Sequence, residues 1–148
     1  MPIDLIVFLV LLASGYIFGQ AAEKRHYKSI FEREKALHGI LCSSERHLPE
    51  MGNVEGTLVS GSVVISIGYF KRFVAGLRNL FGGRISAYES LLDRARREAI
   101  LRMKAEAEAY GASSVWNIRL ETSSIYKNTQ GSIGSVEVLA YGTAIKFR

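Results

Sequence analysis

"SAYESLLDRARREAILRMKAEAEAYG", residues 86–111, is the stretch whose reading decides the fold. Ser86 and Glu89 have the S-x-x-E spacing of a capping box, in which a hydroxyl and a carboxylate satisfy N-terminal backbone donors from both sides. Tyr88, Leu92, Ala95, Ala99, Met103 and Ala107 then recur at the period of one helix face. Gly111 follows where a left-handed cap belongs. Glu98 and Arg102 stand at i,i+4, a favourable pairing on a helix. The acidic residues of this helix read as its solvated face.

Strand patterns lie on both sides of it. "TLVSGSVVISIG", residues 57–68, is rich in β-branched residues. Val59, Gly61, Val63 and Ile65 alternate on one side, and Leu58, Ser60, Ser62 and Val64 on the other. Mid-strand Gly61 signals a bulge or a close backbone approach. After the helix, "SVWNIRLET" puts Trp116, Ile118 and Leu120 on one face, with Asn117, Arg119 and Glu121 opposite. In "GSVEVLAYGTAIKF", Val136, Val138, Ala140 and Ala144 share a face, and Leu139, Tyr141, Ile145 and Phe147 share the other. With both faces apolar, this strand is expected to pack on helices on one side and on a neighbouring subunit on the other. The polar "SSIYKNTQGSIG" between the two strands reads as a hairpin loop. "YFKRFVAGLRNLF", residues 69–81, has Phe70, Phe73, Val74, Leu77 and Phe81 at helical spacing, and Gly76 makes that helix dependent on tertiary support. The expected class is α+β, with helices against an antiparallel sheet.

Working outward to the N-terminus, "IDLIVFLVLLASGYIF", Ile3 to Phe18, contains one charge, Asp4. It is long enough to cross a hydrocarbon core of roughly 30 Å as a helix. A cleaved signal peptide would want a positive n-region and a small-x-small cleavage site, and neither is present, so a retained anchor is expected. No Lys or Arg precedes the apolar run, whereas Lys24, Arg25, Lys28, Arg33 and Lys35 follow it. That asymmetry places the N-terminus outside and the body in the cytoplasm of a single-pass protein of the cell membrane. "AAEKRHYKSIFEREKALHGIL" continues as an amphipathic juxtamembrane helix, with Tyr27, Ile30, Phe31 and Leu37 as a partial apolar stripe. Residues 42–56, polar and containing Pro49, read as a linker or an irregular loop. The expected division is 1–21 anchor, 22–52 juxtamembrane helix and linker, and 53–148 α+β domain.

A chain of 148 residues has room for one modest domain. Its net charge of +5, with basic residues near the anchor, would suit anionic lipid headgroups, but a topology signal plus a solvated surface needs no ligand and is the favoured reading. No basic stripe with interleaved aromatics accompanies that charge, so no nucleic-acid partner is expected. The single cysteine, Cys42, allows no intrachain disulfide and fits a reducing compartment.

Two places carry candidate chemistry. His38, Cys42 and His47 bring together donors suited to zinc or copper, but their spacing matches no established zinc motif. Ordinary linker residues are the competing reading. Gly82, Gly83 and Arg84 could offer backbone N–H groups and a guanidinium to an anion at the start of the following helix. The same residues could form a tight corner between two helices, with Arg84 bridging to a carboxylate or carbonyl. The corner is favoured, because the lysine and hydroxyl ending of a phosphate loop is missing. No catalytic constellation emerges, and His26, His38 and His47 fall outside the expected folded body.

From Gly56 onward, "LVSGSVVISIGYFKRFVAGLRNLFGGRISAYESLLDRARREAILRMKAEAEAYGASSV" followed by "GSVEVLAYGTAI" resembles the YbjQ-like family, named for heavy-metal binding. Its most specific pieces are "GGR" followed by "AYE", the helical A-x-x-x-M, the "GAS" turn and the terminal "YGTA". The anchor with "AEKRHYKSIFEREKAL" is similar to a membrane-anchored branch of that family. The resemblance implies a two-layer β-α-β-β subunit that assembles into a ring, a pentamer, through the long helix and final strands. It also implies a metal ion as cofactor, without a ligand set that can be placed on this chain. The family reads close to "GANAVVGVRFD" where this chain has "GASSVWNIRLE", so Trp116 and Asn117 replace small or apolar residues there. That departure puts any family function tied to this strand in question for this chain. The functional expectation is a membrane-anchored homo-oligomeric binding or scaffold module for heavy-metal ions. The alternative is an enzyme whose site forms at subunit interfaces.

Overall fold

The computed structural model describes residues 2–47, 52–66, 86–127 and 133–148. In chain order these form α1 (Pro2–Ala36), β1 (Leu41–Cys42), β2 (Val54–Ser66), α2 (Ser86–Tyr110), β3 (Ser114–Lys127) and β4 (Ile133–Phe147). The helix expected over 69–81, the Gly82-Gly83-Arg84 corner and the tip of the last hairpin lie outside the described residues, as do the side chains of Ser86 and Tyr88.

The α+β expectation holds. The three long strands make an antiparallel sheet in which β4 lies between β2 and β3, and the full order is β1-β3-β4-β2. β2 follows its alternation: Val59, Gly61 and Val63 are buried against α2, while Leu58, Ser60, Ser62 and Val64 face outward. On β4, Val136, Val138, Ala140 and Ala144 are wholly buried, and Leu139 and Tyr141 on the opposite face are half-buried. Ile145, placed on that outer face by simple alternation, is buried instead.

Gly61 is a point of close approach rather than a bulge. A Cβ there would run into the Ala99 carbonyl oxygen and the Met103 nitrogen, and would lie 2.7 Å from Arg102 Cβ. The alanines of α2 serve the same end. Ala95, Ala99 and Ala107, with Met103 between them, are fully buried, and their small side chains let the helix lie close to the sheet. The helix stops at Tyr110, and Gly111 takes φ +81° as its left-handed cap.

Two sequence expectations need correction. The stretch after Ile40 is not simply a linker, because Leu41–Cys42 pairs in parallel with Ser114 and Val115 at the edge of β3. Ser43 and Glu45 continue that contact: the Ile118 and Asn117 N–H groups donate to their carbonyls at 3.1 and 3.0 Å. The regular alternation expected on β3 is also broken. Its register with β4 shifts between Trp116 and Arg119, and Asn117 within the irregularity has φ 53°. Trp116, at the start of the irregularity, is half-buried.

α1 is one unbroken helix of 35 residues. Its first half carries Leu5, Ile6, Val7, Phe8, Leu9 and other apolar side chains at more than half exposure, on a helix long and apolar enough to cross a membrane. Its second half folds into the body. Ile30, followed by Leu37 and Ile40 just past the helix end, joins the same buried cluster as Val59, Leu101 and Val115. α2 therefore has the sheet on one side and the end of α1 on another. Glu98, also buried on α2, serves that contact.

Candidate functional site

In the second half of α1 and the turn after it, the residues that face inward are Glu23, His26, Tyr27, Ile30, Arg33, Glu34 and Leu37. Glu23, His26, Ile30, Arg33 and Leu37 recur at alternating steps of three and four, with Tyr27 and Glu34 beside them, the seam of one helix packed on another. Most of them are polar, so the seam is held by charge as much as by apolar contact. Contacts advance together along both helices: Tyr27 Oη donates to the Ser90 carbonyl at 3.3 Å, Arg33 meets Glu98, and Lys104 Nζ donates to the Leu37 carbonyl at 3.3 Å. α1 and α2 thus run parallel.

Glu98 is the centre of the seam. Its side chain is 5% exposed, which corrects the expectation that the helix acids all face solvent. Arg33 forks onto it, with Nη1 donating to Oε1 at 3.0 Å and Nη2 to Oε2. Arg102 donates from Nε to Oε1 at 3.0 Å, so the i,i+4 pair expected from sequence does form. Arg102 also reaches the β2 edge, donating from Nη1 to the Ser62 carbonyl at 2.7 Å. The Arg33 hydrogen bonds hold the Glu98 carboxyl below the usual range, against the opposing effect of burial. A carboxylate occupied by two guanidiniums is not available as a general base. It is an anchor point.

Around it lie two further pairs. Arg97 forks onto Glu34 at 2.7 and 2.6 Å and stacks over the Phe31 ring, 4.7 Å from its centroid. Arg94 lies 4.0 Å from Glu23. His26, expected outside the folded body, sits inside the seam with Nε2 4.0 Å from Glu98 Oε2 and a buried Nδ1 that has no hydrogen-bond partner among the described residues. Burial first, and the Arg94 guanidinium second, push its pKa below 6.5. Beside the seam, Glu34, Arg97, Ile100, Leu101 and Lys104 line an open groove of about 250 Å³.

The sequence-predicted ligands are not drawn into this arrangement. α1 ends at Ala36, so His38 lies in the turn beyond it, exposed, with Nδ1 2.9 Å from the Lys35 carbonyl oxygen. Cys42 is exposed on β1 and His47 is exposed beyond it. Desolvation raises the Cys42 thiol, with Lys104 opposing in part, which disfavours the thiolate a soft metal binds. Among the described residues no group of three or more His, Cys, Asp or Glu side chains is placed to hold a metal ion. Within one copy of the described chain, the donor set does not fit a metal. The residues missed from sequence were Glu98, His26 and the three-four recurrence from Glu23 to Leu37, whose polar members hid the seam.

The profile of a family described as "Putative heavy-metal-binding", YbjQ, matches residues 43–148. A UPF0145 protein of Psychrobacter arcticus is 43% identical over 108 residues, covering 72% of this chain and 65% of its own length. A UPF0145 protein of Hahella chejuensis is 43% identical over 88 residues, covering 60% of this chain and 79% of its own. One from Natronomonas pharaonis is 49% identical over 72 residues, covering 49% of this chain and 64% of its own. A crystal structure of a protein of unknown function from Pediococcus pentosaceus, of the DUF74 family, is similar with a TM-score of 0.45 and 18% identity, over 74% of this chain and 99% of its own.

Proposed function

This chain belongs to the YbjQ family, and we propose that within it the chain is a membrane-anchored, self-assembling scaffold module. The observation that carries the reading is the continuity of α1. One helix bears an exposed apolar span at its start and the docked seam with α2 at its end. A bilayer would cover the first half, and the second half would hold the domain rigidly against the same helix. The basic residues that follow the apolar run set the body on the cytoplasmic side. The outward face of the sheet, with Leu58 and Val64 more than half exposed, is the surface a second copy would cover. Heavy-metal binding comes to this proposal through the family's description. The described residues of one copy supply no ligand set, so in this reading a metal is held between copies.

The test is to express the full chain, fractionate the cells, and analyse detergent-extracted protein by native mass spectrometry with elemental analysis, with and without added zinc or copper. The expected result is recovery from membranes as a closed homo-oligomer, with metal bound at a fixed ratio to the oligomer. Cys42 should react with a membrane-impermeant thiol reagent only after the cells are permeabilised. A monomer recovered without detergent, or labelling of Cys42 in intact cells, would overturn the reading.

A further inference from the structure

We infer that the α1–α2 seam is a pH-operated latch whose protonation site is His26. The groups that face His26 among the described residues are Arg94, Glu98 and Arg102 from α2 and Arg33 from α1, with Glu23 lying against Arg94. Three guanidiniums thus share two carboxylates, and Glu98 already accepts from Arg33 and Arg102. A proton on His26 would add a further cation to a set that is already positive. Glu98 is the nearest compensating charge, at 4.0 Å, and its oxygens are committed elsewhere.

The neutral ring is also imperfectly held. Among the described residues its Nδ1 is buried without a partner, as is Arg94 Nε, so both forgo hydrogen bonds that water would supply once the helices part. Docking therefore holds His26 neutral, and separation lets it take up a proton. Linkage fixes the sign: the separated state binds more protons below about pH 6.5, so the docked state weakens as pH falls through that range. Glu98 does not blur the response, because its carboxyl is held below 4.5 and stays ionised throughout. Mild acid weakens the latch while the ion pairs around it remain charged.

The test places spin labels at Lys28→Cys and Arg96→Cys in a Cys42→Ser full chain reconstituted in phosphatidylcholine nanodiscs. Distances between the labels are then measured at pH 7.5 and 5.5. At pH 7.5 a single distance is expected, and at pH 5.5 a longer component grows severalfold. His26→Gln should keep the single distance at both pH values. His26→Arg, with a charge that cannot be removed, should show the long component at both. An unchanged distribution in the parent chain, or a His26→Gln chain that still responds to pH or is open throughout, would overturn the latch.

Discussion

Asn117 shows how much a single residue can settle. Its φ of 53° lies in the left-handed region, which costs an L-residue roughly 1–2 kcal/mol and which Asn tolerates better than most. Gly is the residue with no such cost. The conformation has a use. It turns the Asn117 and Ile118 N–H groups away from β4 and onto the Glu45 and Ser43 carbonyls, which fastens the segment after β1 to the sheet. The Asn117 side-chain oxygen gains nothing in return, being buried without a partner among the described residues. Asn117→Gly should therefore leave the urea midpoint unchanged or raised. Asn117→Val should lower stability by about 1–2 kcal/mol, since a β-branched side chain resists positive φ. Equal midpoints for the two variants would show that the bulge does not impose this backbone angle in solution.

At the scale of elements, the docking of α1 rests on Glu98. Removing one partner of a buried ion pair costs about 3–5 kcal/mol where both charges are inaccessible. Here the Arg33 and Arg102 side chains are 38% and 52% exposed, so water compensates part of the loss and about 1–2 kcal/mol is expected for Glu98→Gln. A double-mutant cycle with Arg33→Gln should show positive coupling, read from chemical denaturation. Additive effects would mean that the pair contributes nothing to docking. The carboxyl of Glu98 is depressed in the fold, so its contribution is present above its unfolded value of about 4.5 and is lost as pH falls through the lower, folded value. Acid should thus act twice on the seam, first through His26 and then, below that value, through Glu98.

For the whole molecule, the question is where the folded unit begins. A boundary at Asn53 separates the sheet and α2 from everything before them. Yet Ile30, Leu37 and Ile40 are at most 7% exposed and belong to the same core as Val59 and Val115. Burying one such side chain is worth about 1.5–3 kcal/mol, so losing three of them together with β1 takes a large share of the stability of a domain this size. A fragment starting at Ala21 should unfold cooperatively. One starting at Asn53 should unfold at a clearly lower denaturant concentration, or fail to accumulate as soluble protein. If the two share a midpoint, the seam and β1 are appendages to a self-sufficient domain.

What the sequence determined by itself was the set of elements whose evidence is local. The three-four recurrence of residues 86–110, the alternation of β2 and β4 and the apolar run from Leu5 each express a local pattern repeated against one environment. Gly61 stands between the two, because a glycine inside a strand signals a bulge or a close backbone approach and only the position of α2 decided for the latter. Only the tertiary structure decided which charges are buried. Glu98 and Glu106 look alike in the sequence of α2, but Glu98 meets Arg33 from 65 residues away while Glu106 accepts from the Ser60 N–H of β2. The polar face of α1 likewise became a seam, and His26 part of it, because α2 offered complementary charge there. Period is written in neighbouring residues, whereas the burial of a charge depends on a partner that only the folded chain brings near.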